Sequence, residues 1–540
     1  MPFQRKYRGR GGADAMVDAT DASPVLPEEA IASKGDYVEL VYNEVVNSRS
    51  ASGDSFSQGV IDWNWNSSGI TTFIPSKSYI RLELEFLNNA NGQPIMSDLV
   101  APSFDIGDCL FSSFELLAGG QSISALTSNT SQAGSLRKRL RSSYGYKKSV
   151  GETHMLDMSF GARQKVICSD SSVSLSDNDY EPSALTTVLA NQRGGNAPCG
   201  ITISAVGVVA GVNTEFQTVG LSVGDKLVVR GIEYDITSIT SNTVMTVNAP
   251  GAIIGDVANP ANPTTDCYAL KVKSSRKLSQ RKNKIFVNFT PSLGIFDYDQ
   301  PLCAGSWTLR ANPLPQSDIN SNCLENLGGW EANAPNAGWK VVVRSCNFYV
   351  ATVKANLMNS IVSLPLVEYN IQSKQCQQNS TYQFTVPTST NGLVIFFQSN
   401  SATKDGRITG PMFKNLDNSH LDLRSLQVNY ANVRKQASLF SSEFGGVVDH
   451  LQQYYKNTFA DAGLDEVNSV GCESFNDWLN SPFYYFSFLK GDDKSTEVQV
   501  SANFGSEINN TSIYCVALYG NLVEISSSNG SIVNVRSRNI

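Results

Sequence analysis

Alternating apolar and polar residues indicate that the chain is built mainly from β-strands. In the stretch SYIRLELEFLN, the apolar residues Ile80, Leu82, Leu84 and Phe86 share one face, and charged residues take the other. A side-chain period of two over this length is typical of an antiparallel strand with one buried face. The run WKVVVRSCNFYVATVK predicts a second, longer strand. In FSSFELLAGGQSISAL, a Gly-Gly pair between two alternating runs predicts a hairpin.

A second series of strands fills the C-terminal half. The apolar phase of LDLRSLQVNY slips between Leu423 and Leu426, which predicts a β-bulge. The runs that predict these strands are TYQFTVP, LVIFFQSN, LDLRSLQVNY, YYFSFLK, TEVQVSANF and SIYCVALYGNLVEI.

Each half also contains one helical pattern. In SQAGSLRKRLRSSYGY, Leu136 and Leu140 lie one turn apart. In GGVVDHLQQYYKNTFADAG, apolar residues recur at spacings of three and four. The polar face of the first helix carries Arg137, Lys138, Arg139 and Arg141. This basic face is interpreted either as a contact for an anion or a genome, or as a solvated face or an Arg-rich contact between subunits.

Changes in composition divide the chain into segments. Arg5, Lys6, Arg8 and Arg10 crowd the N-terminus, and the acidic stretch after them has too few apolar residues to fold alone. A Ser-, Asp-, Asn- and Gly-rich stretch then leads into a compact run of short strands, which predicts a small β-barrel inserted in the first half. The predicted segments are an arm at 1–33, a first domain at 34–184 and 276–362, the insertion at 185–275, a second domain at 363–530 and a tail at 531–540.

Composition narrows the functional classes. Hydrophobic residues make up 41% of the 540 residues, enough to form large cores, and charged residues only 17%, below the usual proportion of about a quarter. The net charge of −7 argues against a protein that wraps nucleic acid along its whole length. The sequence contains no apolar run long enough for a transmembrane helix, and its basic start lacks the apolar region of a secretory signal. The ten scattered cysteines are interpreted as buried free thiols of a protein made in a reducing compartment.

The sequence offers little for catalysis. It has three histidines and none of the common nucleophile, zinc-protease, dinucleotide or P-loop motifs. Asp297 and Asp299 are a conceivable carboxylate pair for glycoside hydrolysis, but aspartates in loops usually form turns. The run SDNDYE at 176–181 is the best cluster for calcium and is interpreted as a solvated loop. We therefore expect no enzymatic activity, cofactor or metal.

Several stretches of the sequence occur in the same order as in a known protein family. They are SYIRLELEFLNNANGQPI, VAPSFDIGDCLFSSFELLAGGQSIS, SQAGSLRKRLRSSYGY, ANPLP, LDLRSLQVNYANVR, FGGVVDHLQQYY and EVQVSANF with SIYCVALYGNLVEI. The series resembles the double jelly-roll major capsid proteins of the adenovirus–tectivirus lineage, and is most similar to those of polinton-like viruses, adintoviruses and virophages. The insertion and the long N-terminal arm depart from that pattern.

The resemblance implies an all-β fold of two tandem, antiparallel, eight-stranded jelly rolls. Each would contain one short helix, and the first would carry the inserted small β-domain. It also implies a structural subunit of the virion: homotrimers with a pseudo-hexameric outline tile an icosahedral shell around a DNA genome, after synthesis and assembly in the host cytoplasm or nucleus. The predicted core residues are Leu82, Leu84, Phe86, Leu116, Phe348, Phe396, Phe486 and Phe504.

The expected partners are further copies of the chain, penton and minor capsid proteins. The basic arm could meet packaged DNA or an internal membrane, and the insertion is expected to face outward and could meet a host receptor. A β-rich adhesin or phage receptor-binding protein is the alternative, and a carbohydrate-active β-sandwich enzyme is a third. Adhesins normally carry a secretion signal and tail proteins show repeated segments, and the sequence shows neither.

Overall fold

The alternating runs form strands, and the strands form layered sheets. The computed structural model describes residues 40–49, 52–68, 71–88, 92–94, 100–102, 106–143, 146, 163–167, 170–175, 200–212, 214–217, 221, 223, 225–229, 232–248, 267–272, 283–326, 339–354, 357, 359–399, 423–436, 447–462, 478, 482–488, 495–504 and 511–539. Arg5, Lys6, Arg8, Arg10 and the run 176–181 lie outside these residues.

The elements up to the insertion are β1 (Val41–Val45), β2 (Ile61–Ser67), β3 (Thr71–Phe73), β4 (Tyr79–Asn88), β5 (Val100–Pro102), β6 (Phe111–Ala118), β7 (Gln121–Leu126) and helix α1 (Thr130–Arg141). The insertion contributes β8 (Arg163–Ile167), β9 (Asp170–Leu175), β10 (Gly200–Ile203), β11 (Val208–Val212), β12 (Lys226–Val229), β13 (Ile232–Ile239), β14 (Val244–Asn248) and β15 (Cys267–Val272). The chain continues with β16 (Lys284–Phe289), β17 (Gly305–Pro313), helix α2 (Gln316–Asn322), β18 (Leu324–Asn326) and β19 (Trp339–Lys354).

Two sheets of these strands pack into a first sandwich. The β4 sheet has the order β1-β19-β4-β16, with β3 also paired to β19, and the β6 sheet has the order β2-β17-β6-β7. Without β3 and the short β5–β18 pair, the sandwich has eight strands. Counted along the chain, they lie in the orders first-eighth-third-sixth and second-seventh-fourth-fifth. This arrangement of eight strands in two antiparallel sheets is a jelly roll.

The second sandwich repeats this order. Its elements are β20 (Ser360–Gln375), β21 (Asn379–Thr385), β22 (Thr390–Ser399), β23 (Leu423–Tyr430), β24 (Val433–Gln436), helix α3 (Val447–Asp461), β25 (Phe483–Ser487), β26 (Glu497–Phe504), β27 (Thr511–Ser528) and β28 (Ser531–Asn539). The β22 sheet runs β20-β27-β22-β25, with β28 paired to β27, and the β23 sheet runs β21-β26-β23-β24. The fold is therefore a double jelly roll, as predicted. In both sandwiches a helix lies between the fifth and sixth strands.

Local predictions hold at three places. The turn between β6 and β7 is Gly119-Gly120, and both residues have positive φ angles of 56° and 82°, which glycine adopts without strain. The register of β23 with β26 shifts between Leu423 and Ser425, where the bulge was predicted. The long strand β19 spans 16 residues. Helix α2 is an additional element that the sequence analysis did not predict.

The insertion has a sheet and an apolar core of its own. Its eight strands lie in the order β10-β11-β14-β13-β12-β15-β8-β9. Ile201, Val209, Phe216 and Met245 belong to a buried cluster separate from that of the two sandwiches. The structure corrects two predictions here. The sheet already includes β8 and β9, before residue 185, because β8 pairs with β15. In addition, the order of the described strands is open at β10 and β9 and not a closed barrel.

The last residues form a strand. The sequence predicted a tail at 531–540, but β28 pairs antiparallel with β27, from Ser528 with Ser531 to Asn521 with Asn539. The ladder of backbone hydrogen bonds to β27 is the reason that this polar segment is ordered. Among the described helices, none combines the length and apolar character needed to cross a bilayer.

Candidate functional site

The two sandwiches meet along a junction formed by α1, β7 and the short helical turn Gly294–Asp297 on one side and by β20, β22 and β25 on the other. For a protein built from two such units, this contact fixes their relative orientation. We therefore treat the junction as the candidate functional site.

Helix α1 carries its basic residues into the junction. The Arg137 guanidinium donates a 2.7 Å hydrogen bond to the Pro291 carbonyl and forms an ion pair with Asp297. Arg141, one turn on, forms an ion pair with the other carboxylate oxygen of Asp297. Asp297 is thus the shared counter-ion of two arginines. Its partner in the predicted carboxylate pair, Asp299, accepts a hydrogen bond from Gln300.

Lys138 lies on the side of α1 that faces its own sandwich. Its ammonium lies 2.8 Å from Oδ2 of Asp108, a completely buried carboxylate. Ser292 donates to the same oxygen at 3.0 Å. Gly134 makes room for this carboxylate, because a β-carbon at that position would lie 2.3 Å from the Asp108 oxygen.

Arg139 crosses the junction. Its side chain is completely buried, and its guanidinium carbon lies 4.5 Å from the centre of the Phe483 ring on β25. A guanidinium over an aromatic face is attracted by the ring quadrupole, and more strongly where water is excluded. The interpretation of the four basic residues of α1 as an exposed surface is therefore wrong. The second sandwich packs over the helix, and internal carboxylates and a ring take up the charges.

The side chain of Glu368, on β20 of the second sandwich, contacts the first sandwich across the junction. The Ser124 hydroxyl on β7 donates to its Oε1 at 2.5 Å, and the Gly294 backbone N–H donates to Oε2 at 3.4 Å. Burial raises the pKa of this carboxyl to about 7, against opposing effects from the two hydrogen bonds and from Arg137 and Arg141. The side chain thus links β20, an edge strand of the second sandwich, to β7, an edge strand of the first. A covered edge strand is also unable to pair with strands of other molecules.

Close backbone approaches complete the junction. A β-carbon at Gly294 would lie 2.5 Å from the Val367 carbonyl oxygen of β20. At the far end, Ile532 of β28 packs against the first sandwich, where a β-carbon at Gly305 would lie 2.4 Å from the Ile532 side chain. Gly119 meets the same isoleucine. The last strand therefore clamps the second sandwich onto the first.

The predicted core residues are all buried. Leu82, Leu84, Phe86, Leu116, Phe348, Phe396, Phe486 and Phe504 are each exposed by 2% or less. They do not all lie inside a sandwich. Phe397 faces Phe504 inside the second sandwich at 5.1 Å, and its neighbour Phe396 points to the opposite face of β22, where it stacks on Tyr514. Phe396 is thus buried on the outer face of the β22 sheet.

The remaining chemistry of the described residues is that of a packed interior. The seven cysteines that the structure describes are buried, and burial raises the pKa of the Cys303 thiol to about 11, which leaves little thiolate for reaction. Within the described ranges, no three acidic, histidine or cysteine side chains gather as a metal site would require. The described side chains of the junction pack against and hydrogen-bond one another, and so hold the two sandwiches together.

The ion pairs of α1 and the contacts across the junction were not predicted from the sequence, in which Asp297 was considered only as half of a carboxylate pair. Asp297, Glu368, Phe483 and Ile532 lie far from α1 along the chain, and no local pattern links them to it. The one signal present was the density of arginines on a helix with few acidic neighbours in sequence, which implies counter-ions elsewhere in the fold.

No family model and no curated protein matches the chain. Among solved structures, it is similar to a chain of the Sputnik virophage (11% identity, 98% of this chain and 93% of that chain, TM-score 0.49). It is also similar to the mavirus major capsid protein (11% identity, 98% and 97%, TM-score 0.42) and the faustovirus major capsid protein (8% identity, 98% and 96%, TM-score 0.42). At these identities a likeness concerns the fold alone, and the fold assignment above depends on the strand order.

Proposed function

We propose that the chain is a viral major capsid protein, a non-enzymatic structural subunit of the virion. The observation that carries the proposal is the repetition of one strand order in two sandwiches joined by a buried, charged junction. Such a chain is a rigid tile with two similar halves. Three copies around a threefold axis present six sandwiches and so imitate a hexagonal tile that can cover an icosahedral facet.

The homotrimer is the first testable element of this proposal. Size-exclusion chromatography with light scattering on the purified full chain should give three times the mass of one chain. Obligate interfaces bury roughly 2,000 Å² or more, so the trimer should persist on dilution. A monomer at every concentration would contradict the proposal and favour the adhesin or the carbohydrate-active enzyme. In the assembled particle, penton and minor capsid proteins would bind the edges of these trimers.

The N-terminal arm supplies a second element. Arg5, Lys6, Arg8 and Arg10 offer cations for phosphates of a packaged DNA genome or for anionic lipid headgroups. Deletion of residues 2–12 should leave the trimer intact and reduce nucleic-acid content, or membrane content, of particles assembled in the host cell. Unchanged particles would dismiss both roles of the arm.

The insertion supplies a third element. Because it has its own core and sheet, it can be elaborated without disturbing the sandwiches. We place it on the outer surface of the particle, where it either caps the trimer or meets a host receptor. Antibodies raised against residues 200–248 should bind intact particles, and their failure to bind would argue against this placement.

A further inference from the structure

The β22 sheet has an outer face, which is turned away from β26. This face packs against the other jelly roll of the same chain. Phe396, Phe483 and Tyr514 lie on this face: Phe396 pairs in register with both of the others, and Phe396 stacks on Tyr514 with ring centres 4.8 Å apart. The face is covered by α1 of the first sandwich, through Arg139 on Phe483 and Gln132 on Gln398. Within one chain, the helix after the fifth strand of one sandwich therefore covers the outer sheet face of the other.

The equivalent face of the first sandwich is exposed at Phe286 and Tyr42. On the β4 sheet, Ile80, Leu82, Leu84 and Phe86 point to the core, so the alternate residues form the outer face. That face carries aromatic rings among charged side chains such as Arg81, Glu83 and Lys284, and we call it the outer aromatic face. Its rings are Tyr42 on β1, Tyr349 on β19, Tyr79 on β4 and Phe286 on β16.

The three tyrosine rings of this face contact one another, and Phe286 lies opposite Glu83 of β4 in the register of β16. Tyr79 stacks on Tyr349 with ring centres 5.3 Å apart, and Tyr42 lies 5.7 Å from Tyr79. Phe286 is 53% exposed and Tyr42 is 46% exposed. Phe286 lies on the sixth strand of its sandwich, as Phe483 does in the second, and the Arg81 guanidinium lies 4.9 Å from its ring centre. Large aromatic side chains are enriched at protein interfaces and are costly to leave in water.

Helix α3 follows the fifth strand of the second sandwich, as α1 follows the fifth strand of the first. Helix α3 packs against its own sandwich through Tyr454 and Phe459, which contact Tyr484 and Phe483. Lys456 and Ala460 on the same helix are exposed. On the neighbouring strand β24, the fifth of its sandwich, Val433 is 48% exposed.

We propose that the outer aromatic face of one chain binds the α3 and β24 surface of a second copy of the same chain, with Phe286 at its centre. This contact repeats between chains the packing that the junction makes within a chain. The two surfaces differ, so the contact is heterologous, and successive copies close into a ring when the rotation between them divides a full turn. The inference depends on the proposed trimer, and it specifies which surfaces form that trimer.

Two experiments on the full chain test this contact. In the first, chains labelled with nitrogen-15 are mixed with unlabelled chains, assembled and treated with a short amine-reactive cross-linker. Lys284, on the same strand and face as Phe286, should link to Lys456 of a differently labelled chain. In the second, Phe286→Asp places a charge in the proposed contact, and the trimer should already dissociate at concentrations about tenfold or more above those at which the wild type dissociates, or fail to form.

The control is Val206→Asp, which changes a more exposed apolar residue in the insertion and should leave the trimer unchanged. If the wild type is a trimer, Phe286→Asp is also a trimer of unchanged stability and no link between Lys284 and Lys456 joins two chains, the inference is overturned and the proposed function stands. If the wild type is not a trimer, the proposed function itself fails and the inference fails with it. Should Phe286→Asp fold poorly, the cross-link in the wild type still decides.

Discussion

The guanidinium carbon of Arg139 lies 4.5 Å from the centre of the Phe483 ring, although the two residues belong to different sandwiches. Arg139 is completely buried, so this contact exists only while the sandwiches are joined. Replacement of the arginine removes the cation–π attraction and leaves space between the two bodies.

Arg139→Ala should weaken the junction more than either sandwich. We expect a loss of about 2–4 kcal/mol in the free energy of unfolding, because the change opens a cavity and removes a desolvated cation–π contact. Scanning calorimetry should show a lower melting temperature, with the transitions of the sandwiches separated. The control is Arg310→Ala, which removes surface ion pairs to Asp62 and Glu115 and should cost about 1 kcal/mol or less. Equal effects of the two variants would contradict the assigned role.

Asp297→Asn should destabilise the chain, because it leaves Arg137 and Arg141 without their shared counter-ion. Asp297 is partly exposed, so water compensates in part, and we expect a loss of about 1–3 kcal/mol. Urea unfolding at neutral pH measures this difference. Asp299→Asn, two residues further on, is the matched control and should change stability by less than about 1 kcal/mol. The assignment fails if the two substitutions cost the same.

Glu368 should make stability depend on pH. Its pKa in the folded chain is about 7, above the ordinary value of 4.5, so the folded state holds a proton that the unfolded state releases. The contribution of this group is fully present below about pH 4.5 and is lost as the pH rises through about 7, a change on the order of 3 kcal/mol.

The test for Glu368 compares the wild type with Glu368→Gln. Glutamine can still accept the hydrogen bond from Ser124 and does not titrate, so the stability of the variant relative to the wild type should rise between pH 5 and pH 8. Denaturant unfolding at both pH values measures this, with Glu115→Gln as the control for a surface carboxylate. A difference between wild type and variant that does not change with pH would exclude the titration of Glu368.

Gly305 should be sensitive to substitution because of Ile532. In Gly305→Ala, the new β-carbon would meet the isoleucine side chain at 2.4 Å, in addition to the cost of the φ angle of 154°. Gly120→Ala is the matched control, because its φ is also positive and nothing lies near its β-carbon position. In a double-mutant cycle, Ile532→Ala should recover part of the loss caused by Gly305→Ala and none of that caused by Gly120→Ala. Additive effects at Gly305 would show that β28 does not clamp the first sandwich.

The strands and their faces could be predicted from sequence, because their cause is local. The alternation from Ile80 to Phe86 and the glycine turn at Gly119 each depend on neighbouring residues alone. The tandem arrangement of two sandwiches was predicted from the order of the strand and helix patterns and from the family resemblance. Predicted core residues such as Phe86 are buried because the apolar face of the strand is turned away from water.

The junction could not be predicted because its cause is distant. Arg137 and Asp297 are separated by 160 residues, and Arg139 lies over Phe483 of the other sandwich. In isolation, α1 has an apolar stripe and a basic stripe, and such a helix ordinarily exposes the basic one. The segment after 530 is polar and near the terminus, which is typical of a tail, and only its pairing with β27 makes it a strand.

A reconstruction of the purified, assembled chain by electron cryomicroscopy, calculated without imposed symmetry, tests the central claim most directly. We predict a particle of three chains around a threefold axis, with six sandwiches at its periphery, α3 of each chain on the β4 sheet of the next, and the junction between sandwiches unchanged. A single chain, a twofold dimer or a chain whose two sandwiches take several relative orientations would contradict it.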